Sequence, residues 1–574
     1  MISFDFPPDA NAWREPDWRD VDRLLYRWAR SIGASAEVAR CAGRLSLAES
    51  RGHTALLLDE AAATACRGSD QVGDGRSPTP FVLDAEGRFY FWRGHADEVA
   101  VAAALAARCR PAMPAVNAAD LVAPLFPEGD DARTAAQRQA VVAALSQRLV
   151  VLTGGPGTGK TTTVVRLLLA LQRQAGSPLA VRLAAPTGKA AQRLQQAIGR
   201  GRDELAAVLD GSWAEAIASL SALESVTLHR LLEFDPRSGR WRRNREQPLA
   251  ADVVVIDEAS MLDLAQMRAL LSALPESARL ILVGDADQLA SIAAGAVLTD
   301  VVQALAQAQM PPLVRLAHVF RATPALSAAN AAIRQGDAEA FAASQVDGVI
   351  ERVALPSSQA LRQRLHDWAD ALARLLHAQA VDDPHDAARA ALTLRALQQR
   401  QLLCALRESA QGVVAVNAVL QSLLMRQFGD DSRDWFPGRV VMITRNDESH
   451  GLFNGDIGIA LPDEQGRLMV WFDGRGEEAS RAFVPGLLPA HETAYAITIH
   501  KSQGSEYDHV AVLLAPSPDS PILSRQLLYT AASRAKQSLS LWADDAVVAA
   551  ALARPVARSG GLQSKLRDAL RKTD

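Results

Sequence analysis

The chain has 574 residues, of which 49% are apolar and 22% are charged, a mixture typical of globular proteins and long enough for several hydrophobic cores. Its 61 basic and 65 acidic residues give a formal net charge of −4, which excludes nucleic-acid binding through overall basic charge and leaves only local patches. The sequence has no uninterrupted stretch of about 18 apolar residues, so we expect no membrane span. The four cysteines lie far apart and form no C-x-x-C pair, which argues against a zinc site and against a disulfide framework. This favours a reducing compartment, and we expect the cytoplasm.

The first part of the chain, 1–110, is predicted to form a mainly helical N-terminal docking domain. Apolar residues recur at helical spacing in Asp20–Ser31 and Ala96–Arg108. Between these helices, Arg88–Arg93 alternates like a strand. No constellation of catalytic side chains occurs in this part of the sequence. The following segment, 111–133, is rich in Pro, Ala, Asp and Gly, which predicts a linker.

From residue 134 onwards, short apolar runs alternate with helical stretches. This pattern is typical of βαβ units and therefore of an α/β fold with a parallel sheet. Polar residues follow the carboxyl end of each run, where ligands bind in open α/β sheets. We assign 134–330 to a first α/β domain. Its predicted strands are Leu149–Leu152, Ala180–Ala184, Val253–Ile256 and Leu280–Val283.

A phosphate-binding loop follows the first of these strands. The sequence from Gly154 to Thr161 fits G-x-x-x-x-G-K-[ST] between a predicted strand and a predicted helix, which is the context that this loop requires. Backbone N–H groups of such a loop point at phosphate oxygens, Lys160 reaches the β and γ phosphates, and the Thr161 hydroxyl is a ligand for Mg²⁺. The sequence therefore predicts that ATP and Mg²⁺ are bound by Gly155, Pro156, Gly157, Thr158, Gly159, Lys160, Thr161 and Thr162.

Two later strands end in further candidate catalytic residues. The run Val253–Ile256 delivers Asp257 and Glu258 beside the phosphate loop. We expect Asp257 to hold Mg²⁺ and Glu258 to orient the attacking water. A carboxylate pair alone is usually a solvated turn, but its place after a buried strand and downstream of a phosphate loop favours catalysis. After the next strand, Gln288 is placed to sense the γ phosphate.

With these residues in hand, the chain resembles superfamily 1 DNA helicases, and within them the RecD (alpha) subunits of exodeoxyribonuclease V. The resemblance covers nearly the whole chain and implies two RecA-like parallel-sheet motor domains. It is carried by Thr134–Val141, Ala184–Ala191, Thr227–Leu232, Ala317–Arg321, Ala494–Glu506 and Leu527–Lys536. Of these, Ala494–Glu506 resembles the family's motif that bridges ATP and DNA, which is not a feature of ATPases in general.

The resemblance implies a role at the nucleotide for five matching residues. Gln137 would pair with the adenine, and Gly504 and Glu506 would contact the nucleotide. Arg321 and Arg534 would reach the γ phosphate from opposite sides. Two arginines matter physically because negative charge spreads over the transferring phosphoryl oxygens.

For the DNA strand, the resemblance implies contacts from Thr187, His229, Thr498 and His500. Hydroxyl and imidazole groups are suited to phosphate contact. A role as helix caps is the open alternative for Thr187 and His229.

An insertion near 234–247 adds a candidate surface of another kind. Turn residues at Asp235-Pro236 and Ser238-Gly239 predict a β-hairpin that carries five arginines and one tryptophan. Basic side chains beside an aromatic ring suit single-stranded DNA, through phosphate contact and stacking. The DNA-binding candidates are Arg240, Trp241, Arg242 and Arg243. A merely solvated hairpin is the alternative, because surface arginines are common.

Residues 331–574 are assigned to a second motor domain that is interrupted near 438–490. The interruption is predicted to be all β, with strands at Val440–Thr444, Asp456–Ala460 and Leu468–Phe472 separated by turn residues. The resemblance implies an SH3-like barrel there. The tail that starts at Arg554 carries six basic residues, Arg554 included, and the sequence leaves open whether it is a solvated helix or a docking end.

The function implied by the resemblance is that of an ATP-driven DNA helicase and translocase, moving 5′ to 3′ inside a RecBCD-type helicase-nuclease that acts in double-strand break repair and homologous recombination. Its partners would be single-stranded DNA, duplex ends and the beta (RecB) and gamma (RecC) subunits, with no membrane. A stand-alone RecD-like helicase is one alternative. Such helicases carry a longer N-terminal region with helix-hairpin-helix repeats, and we see no such repeats in residues 1–110. An ATP-dependent binding switch is another alternative. It would need only the residues around Lys160 and Asp257, whereas this chain also has the bridging segment from Thr498 to Glu506. The sequence contains no Asp…Asp-x-Lys metal cluster, so nuclease activity is expected in a partner.

Overall fold

The computed structural model describes residue 15 and residues 17–110, 118–127, 131–355, 357–378, 387–428, 434–474 and 479–572. The start of the predicted N-terminal domain, and 111–117 and 128–130 of the predicted linker, lie outside the described residues. Within the described part of the chain, no helix combines the length and the apolar character that crossing a membrane requires.

The N-terminal part packs helices around a small sheet. Its elements are α1 (Asp20–Ser31), α2 (Ala36–Ser50), α3 (Glu60–Arg67), α4 (Trp92–Arg108), β1 (Leu56–Leu57), β2 (Val72–Gly73), β3 (Phe81–Leu83) and β4 (Arg88–Phe91). The strands lie in the order β1-β4-β3-β2. Phe81 and Phe89 stack in the core with ring centroids 5.1 Å apart. The predicted helix Asp20–Ser31 is confirmed, whereas the predicted strand at Arg88 is shorter because Trp92 begins α4.

The first α/β domain contains the phosphate loop. Its helices are α5 (Ala118–Val122), α6 (Ala135–Ser146), α7 (Lys160–Ala175), α8 (Gly188–Ala206), α9 (Ala214–Ser221), α10 (Leu228–Leu231), α11 (Leu264–Ala273) and α12 (Val297–Gln307). Its strands are β5 (Leu149–Gly154), β6 (Val181–Ala185), β7 (Ser225–Thr227), the hairpin strands β8 (Phe234–Asp235) and β9 (Arg240–Trp241), β10 (Val253–Ile256), β11 (Arg279–Gly284) and β12 (Leu313–Leu316). All four strands predicted from the sequence are confirmed as β5, β6, β10 and β11.

The sheet of this domain is parallel, with the strand order β12-β5-β11-β10-β6-β7 among the described residues. Strand β10 consists of three valines and an isoleucine that are all fully buried, as expected where helices cover both faces. Because β5, β11 and β10 are neighbours, the polar segments that follow them meet at one edge of the sheet. The candidate nucleotide residues are therefore brought together by strand order.

The second α/β domain repeats this architecture. Its helices are α13 (Pro324–Gln335), α14 (Ala338–Ala343), α15 (Ser358–Ala378), α16 (Ala387–Gln398), α17 (Val413–Phe428), α18 (Arg525–Ala532) and α19 (Asp545–Ala553). Its strands are β13 (Ile350–Val353), β14 (Arg400–Cys404), β20 (Ala496–Thr498), β21 (Tyr507–Leu513) and β22 (Ala535–Trp542). In the described residues these strands form a parallel sheet in the order β13-β22-β21-β14-β20.

An antiparallel sheet is inserted between α17 and β20. It contains β15 (Val440–Ile443), β16 (Ile457–Pro462), β17 (Leu468–Asp473), β18 (Ser480–Phe483) and β19 (His491–Thr493), in the order β18-β17-β16-β15-β19. Val441, Val470 and Phe472 are fully buried in a small core of its own. The prediction of an all-β insertion with these strands is thereby confirmed.

The C-terminal helix α20 (Leu562–Arg571) leaves the second α/β domain. Its Leu562, Leu566 and Leu570 are buried in the same core as Leu105 of α4 and Val301 of α12. Of the two alternatives for the tail, docking is therefore correct and a solvated helix is wrong. The chain ends by returning to the N-terminal and first α/β domains.

Candidate nucleotide and DNA site

The phosphate loop connects β5 to α7 with a backbone that its glycines allow. Gly157 and Gly159 have φ angles of +72° and +81°, in the region that favours glycine. A side chain on Gly155 would meet the Tyr529 hydroxyl at 2.8 Å, so this glycine lets the second α/β domain approach the loop. Lys160 begins α7, and its Nζ donates to two loop carbonyls at 2.7 and 2.9 Å. The lysine charge is thereby held inside the loop.

The carboxylate pair follows β10 directly. Glu258 has φ +51° and ψ +39°, a left-handed conformation that is uncommon for a glutamate and that recurs at active sites. Burial, together with the charge of Glu258, raises the pKa of Asp257 to about 7, and Lys160 opposes this shift. A side chain on Gly504 would lie 3.5 Å from Glu258 Oε1. The second α/β domain therefore reaches the carboxylates as well as the phosphate loop.

The oxygen donors at this edge of the sheet fit Mg²⁺. The hydroxyl of Thr161 and the carboxylate of Asp257 line the same cavity, and such oxygens are the ligands that Mg²⁺ prefers together with substrate phosphates. A cation beside Asp257 would favour its charged form. Among the described residues, His, Cys, Asp and Glu form no group of three that is placed to hold a metal. A metal ion here would therefore be bound partly by these side chains and partly by phosphate oxygens of the nucleotide.

Gln288 follows β11 and is buried. Its Nε2 donates to Asp285 Oδ2 at 2.8 Å, and the same carboxylate oxygen accepts from the Tyr529 hydroxyl of the second domain at 3.0 Å. The Oε1 atom of Gln288 is buried and has no hydrogen-bond partner among the described residues. Because an unpaired buried acceptor costs free energy, its position on the cavity wall suits a hydrogen bond from a ligand or an attacking water.

The two predicted arginine fingers have different surroundings. The Arg321 side chain is 65% exposed, and its Nη1 lies 4.0 Å from Glu506 Oε2. Lys536 Nζ lies 3.8 Å from the same oxygen, so Glu506 stands between two cations. Arg534 is buried and donates to two carbonyls of its own domain at 3.0 and 3.1 Å. Arg321 is accessible to a ligand, whereas Arg534 also stabilises the second α/β domain.

Gln137 lies beneath the phosphate loop. It is 4% exposed, its Nε2 donates to the Thr158 carbonyl at 3.3 Å, and its Oε1 accepts from Arg166 at 3.0 Å. The amide thus supports the loop, and its pairing with adenine stays a prediction. Sequence reasoning missed Phe320, which is 45% exposed and whose backbone N–H donates to a loop carbonyl at 2.8 Å. Its ring offers a surface for stacking a base; only its place next to Arg321 could have signalled it.

One cavity of about 410 Å³ brings most of the predicted residues together. Those that line it are Pro156, Gly157, Thr158, Gly159, Lys160, Thr161, Thr162, Asp257, Glu258, Gln288, Arg321, Gly504, Glu506 and Arg534. Gly155 lines the adjoining cavity. Gln137 lines neither of these two cavities.

Several further cations on the wall of this cavity were missed from the sequence. Lys189 and Arg193 project from α8, and their four-residue spacing puts them on one face of the helix. Burial lowers the pKa of Lys189 to about 8. Both residues lie in or just after a segment that the sequence marked only for DNA contact.

The DNA candidates lie towards one side of each sheet. Thr187 and His229 each come two residues after the paired strands β6 and β7 of the first sheet. Thr498 ends β20, the edge strand of the second sheet. Thr187 Oγ1 caps α8 by accepting from Ala190 N at 3.2 Å, and Thr498 Oγ1 accepts from Lys501 N at 3.3 Å. Capping uses the acceptor side of each hydroxyl, so the O–H can still donate to a phosphate.

The predicted hairpin forms, but its tryptophan is packed. Strands β8 and β9 pair antiparallel, and the Trp241 ring lies 4.6 Å from the Phe234 ring and 5.1 Å from the His229 ring, measured between centroids. Trp241 therefore already uses part of its ring within the protein. His229 is exposed beside it, whereas His500 is half-buried, and burial lowers the pKa of His500.

The hairpin arginines are not equivalent. Arg243 Nη2 lies 2.5 Å from Glu233 Oε1, so its charge is locally balanced. Arg240 and Arg242 are exposed. These two guanidinium groups are better placed than Arg243 to contact phosphates.

Comparisons with known proteins match both halves of this site. A model of an AAA domain matches residues 137–294, and a model of a UvrD-like helicase C-terminal domain matches residues 493–542. The first match spans the phosphate loop, the carboxylate pair and Gln288. The second spans Thr498, Glu506 and Arg534.

Several named proteins are similar over most of the chain. The RecBCD enzyme subunit RecD of Mycolicibacterium smegmatis is 42% identical over 441 residues, which cover 75% of this chain and 75% of that protein. The RecBCD enzyme subunit RecD of Mycobacterium tuberculosis is 38% identical over 553 residues, which cover 95% of this chain and 92% of that protein. The ATP-dependent RecD2 DNA helicase of Deinococcus radiodurans is 34% identical over 438 residues, which cover 73% of this chain and 50% of that protein.

Proposed function

The chain belongs to the RecD family of RecBCD enzyme subunits, and from this membership we propose that it is the ATP-driven, 5′ to 3′ DNA translocase and helicase subunit of a RecBCD-type complex. The observation that carries the proposal is the course of residues 498–506 in the second α/β domain. At one end of this segment Gly504 lies against Glu258, and at the other end are the DNA candidates Thr498 and His500. One short segment thus connects the nucleotide cavity with the DNA candidates.

The residues of the cavity divide the work of ATP hydrolysis. Lys160 places positive charge at the β and γ phosphates, and Glu258 orients the attacking water with Gln288 as the neighbouring sensor. Arg321 and Arg534 stabilise the charge that develops on the transferring phosphoryl group. Thr161 and Asp257 would hold Mg²⁺, which neutralises phosphate charge when bound.

Hydrolysis is coupled to movement because the cavity has walls from both α/β domains. Contacts of Arg321, Glu506 and Arg534 with the nucleotide favour a closed arrangement, and loss of the γ phosphate removes part of that interaction. Thr187 and His229 sit on one domain, and Thr498 and His500 sit on the other. Alternate closing and opening would therefore change the spacing of DNA contacts along the strand.

The proposed setting follows the family. RecB and RecC subunits are the protein partners, DNA enters as single strands and duplex ends, and nuclease activity resides in a partner. The inserted antiparallel sheet takes the role of the family's SH3-like barrel, the N-terminal domain is a docking module, and the complex works in the cytoplasm in double-strand break repair and recombination.

The test uses the chain co-expressed with RecB-type and RecC-type subunits, and the chain alone, on duplexes with either a 5′ or a 3′ single-stranded tail. To isolate this motor, any phosphate-loop lysine of the partner subunits is substituted. We expect ATP-dependent unwinding of the 5′-tailed duplex and none when Lys160→Gln is introduced. Unwinding restricted to 3′ tails would contradict the proposed polarity.

The same test separates the two alternatives. Full unwinding by the chain without partners would favour a stand-alone helicase, although the chain matches only 50% of the length of the RecD2 relative. ATP-dependent binding to these tailed duplexes without any unwinding would favour a binding switch.

A further inference from the structure

The C-terminal segment after the second α/β domain has contacts that the proposed function does not yet use. We name residues 555–571 the C-terminal clasp. Ser559 bonds to the N-terminal domain through its N–H to His53 Nδ1 at 2.8 Å and through its carbonyl to Thr54 N at 2.9 Å. Lys565 Nζ lies 2.8 Å from Glu98 Oε2, and this carboxylate is 1% exposed. The clasp is therefore firmly anchored on the N-terminal domain.

Besides the leucines of α20, the clasp contacts the first α/β domain through Arg558, which binds one of its loops. Nη1 of Arg558 donates to the carbonyls of Ala293 and Gly295, each at 2.9 Å, and Nη2 donates to the carbonyl of Ser291. A side chain on Gly52 would meet the guanidinium carbon at 2.6 Å, so a glycine there leaves room for the arginine. Charge-assisted hydrogen bonds of this kind are roughly twice as strong as neutral ones. Arg558 thus fixes three carbonyls of one loop.

That loop, 289–295, begins directly after the sensor Gln288. At its first residue, Leu289, the N–H donates to Thr530 Oγ1 at 2.9 Å and the carbonyl accepts from Gln503 Nε2 at 3.0 Å. Both partners belong to the second α/β domain, and Gln503 lies within the segment that links Glu506 to His500. The loop is therefore joined to the nucleotide-sensing Gln288 at one end and bound by Arg558 of the clasp towards the other end.

We infer that Arg558 is a positioning residue for the coupling of ATP hydrolysis to DNA, because it holds 291–295 still while Gln288 and Leu289 follow the nucleotide and the second domain. A displacement at Gln288 can pass through Leu289 to Gln503 and His500 only if the rest of the loop does not absorb it. With its far end anchored by three carbonyl contacts, the loop transmits the displacement. This inference rests on the proposed function and adds a residue outside the sequence motifs that carry the family resemblance.

The test compares four full-length chains, each co-expressed with partner subunits whose own ATPase is inactivated: wild type, Arg558→Ala, Arg558→Lys and Lys565→Met. Lys565→Met is the matched control, because it loosens the clasp at Glu98 without touching the loop. The measurements are kcat for ATP at saturating DNA, the DNA concentration for half-maximal stimulation, and the thermal midpoint. Arg558→Ala should lose about fivefold or more of the DNA stimulation, the lower range of a coupling free energy between sites. Arg558→Lys should recover part of it.

Lys565→Met should lower the thermal midpoint while keeping DNA stimulation within about twofold of wild type, a small change on the same scale. A normally stimulated Arg558→Ala chain would overturn the inference, and so would a Lys565→Met chain that loses stimulation equally, since the clasp would then be merely structural. If the wild type itself showed no stimulation by DNA, the proposed function would fail, and the inference with it.

Discussion

The nucleotide cavity and the arginine hairpin are the two candidate binding regions, and they are built in opposite ways. The cavity collects residues from the ends of β5, β10 and β11 and from the second α/β domain, and Thr158, Gln288 and Arg534 are each less than 5% exposed. The hairpin has two residues in each strand and exposes Arg240 and Arg242. Buried, convergent groups act together, whereas exposed groups act singly. Substitutions should therefore cause large, non-additive losses in the cavity and small, graded losses in the hairpin.

The largest effect is expected at Lys160, the main charge of the phosphate loop. Lys160→Gln should abolish measurable ATP hydrolysis and weaken nucleotide binding, because it removes positive charge from the β and γ phosphates without changing the core. Hydrolysis would be followed as phosphate release, and binding with a fluorescent nucleotide. Arg242→Gln, a hairpin control, should leave both measurements near wild type at saturating DNA. Comparable losses in both variants would erase the contrast between the regions.

The two arginine fingers should follow in size. Arg321→Ala and Arg534→Ala should each lower kcat by about 10³-fold, the lower range for an arginine that stabilises the transition state. The double variant should lose far less than the product of the two, because both charges act on one transition state. Arg315→Ala, an exposed arginine on β12, is the control. Independent, multiplying losses would show that the arginines do not cooperate.

Thermal unfolding separates these arginines further. Arg534→Ala should also lower the thermal midpoint, since it removes hydrogen bonds to two carbonyls of its own domain. Arg321→Ala should leave the midpoint near wild type, because its side chain is 65% exposed. An equal drop in both variants would mean that the difference in burial has no energetic consequence.

In the hairpin, smaller and separable effects are expected on single-stranded DNA binding. Each of Arg240→Ala and Arg242→Ala should flatten the plot of log affinity against log salt by about 0.7. Arg243→Ala should flatten it less, because Glu233 already balances its charge. Trp241→Ala should cost about 1–3 kcal/mol of affinity if a base stacks on the ring, with the slope unchanged. The assay is titration of a fluorescent oligonucleotide at several salt concentrations without ATP, and equal affinity and slope in all variants would leave the hairpin as solvated surface.

The smallest expected effect is a pH dependence of stability in the cavity. The pKa of Asp257 is raised to about 7 by burial and by Glu258, so between about pH 4 and pH 7 the folded chain binds more protons than the unfolded chain, and stability falls as pH rises. Asp257→Asn removes this penalty and should raise the thermal midpoint above that of wild type by about 2–4 °C at pH 8, with a smaller gain at pH 5.

The hairpin offers the matched carboxylate for this comparison. Asp235, which is half-buried, has a pKa lowered chiefly by the backbone N–H of Arg237, so any stability it contributes is present at higher pH and lost as pH falls. Asp235→Asn should therefore bring no gain at pH 8. Thermal scans without nucleotide or Mg²⁺ at both pH values check this. A gain for Asp235→Asn, or none for Asp257→Asn, would contradict the assigned surroundings.

Features with a local sequence pattern could be predicted from the sequence, whereas contacts between distant parts of the chain could not. Strand β10 was predicted residue for residue, because a run of β-branched residues between polar ones has a local pattern. The phosphate loop was recognisable because glycine spacing determines its backbone. That Gly504 would lie at the nucleotide was expected only from the family resemblance, and its closeness to Glu258 was not predicted, since no local pattern encodes a contact between residues far apart in sequence.

Other features depend on packing and could not be read from local sequence. The tail was noticed only for its six basic residues, whereas Arg558 binds loop carbonyls and three leucines of α20 dock on α4 and α12. Trp241 looked available for DNA, but its contacts with Phe234 and His229 depend on the path of the chain around it. Lys189 was missed because exposure to a cavity is a property of the assembled domains. Phe320 was missed because its exposure and its contact with the phosphate loop also depend on the folded chain.

The central claim is that hydrolysis in the cavity between the two α/β domains drives this protein on DNA, and Glu258→Gln tests it most directly. ATP binding and hydrolysis by the variant chain, with partner ATPases inactivated, would be measured with and without single-stranded DNA. We predict normal ATP binding with DNA-stimulated hydrolysis reduced by about 10²-fold or more, since only the water-orienting carboxylate is lost. Normal DNA-stimulated hydrolysis by the variant would contradict the account.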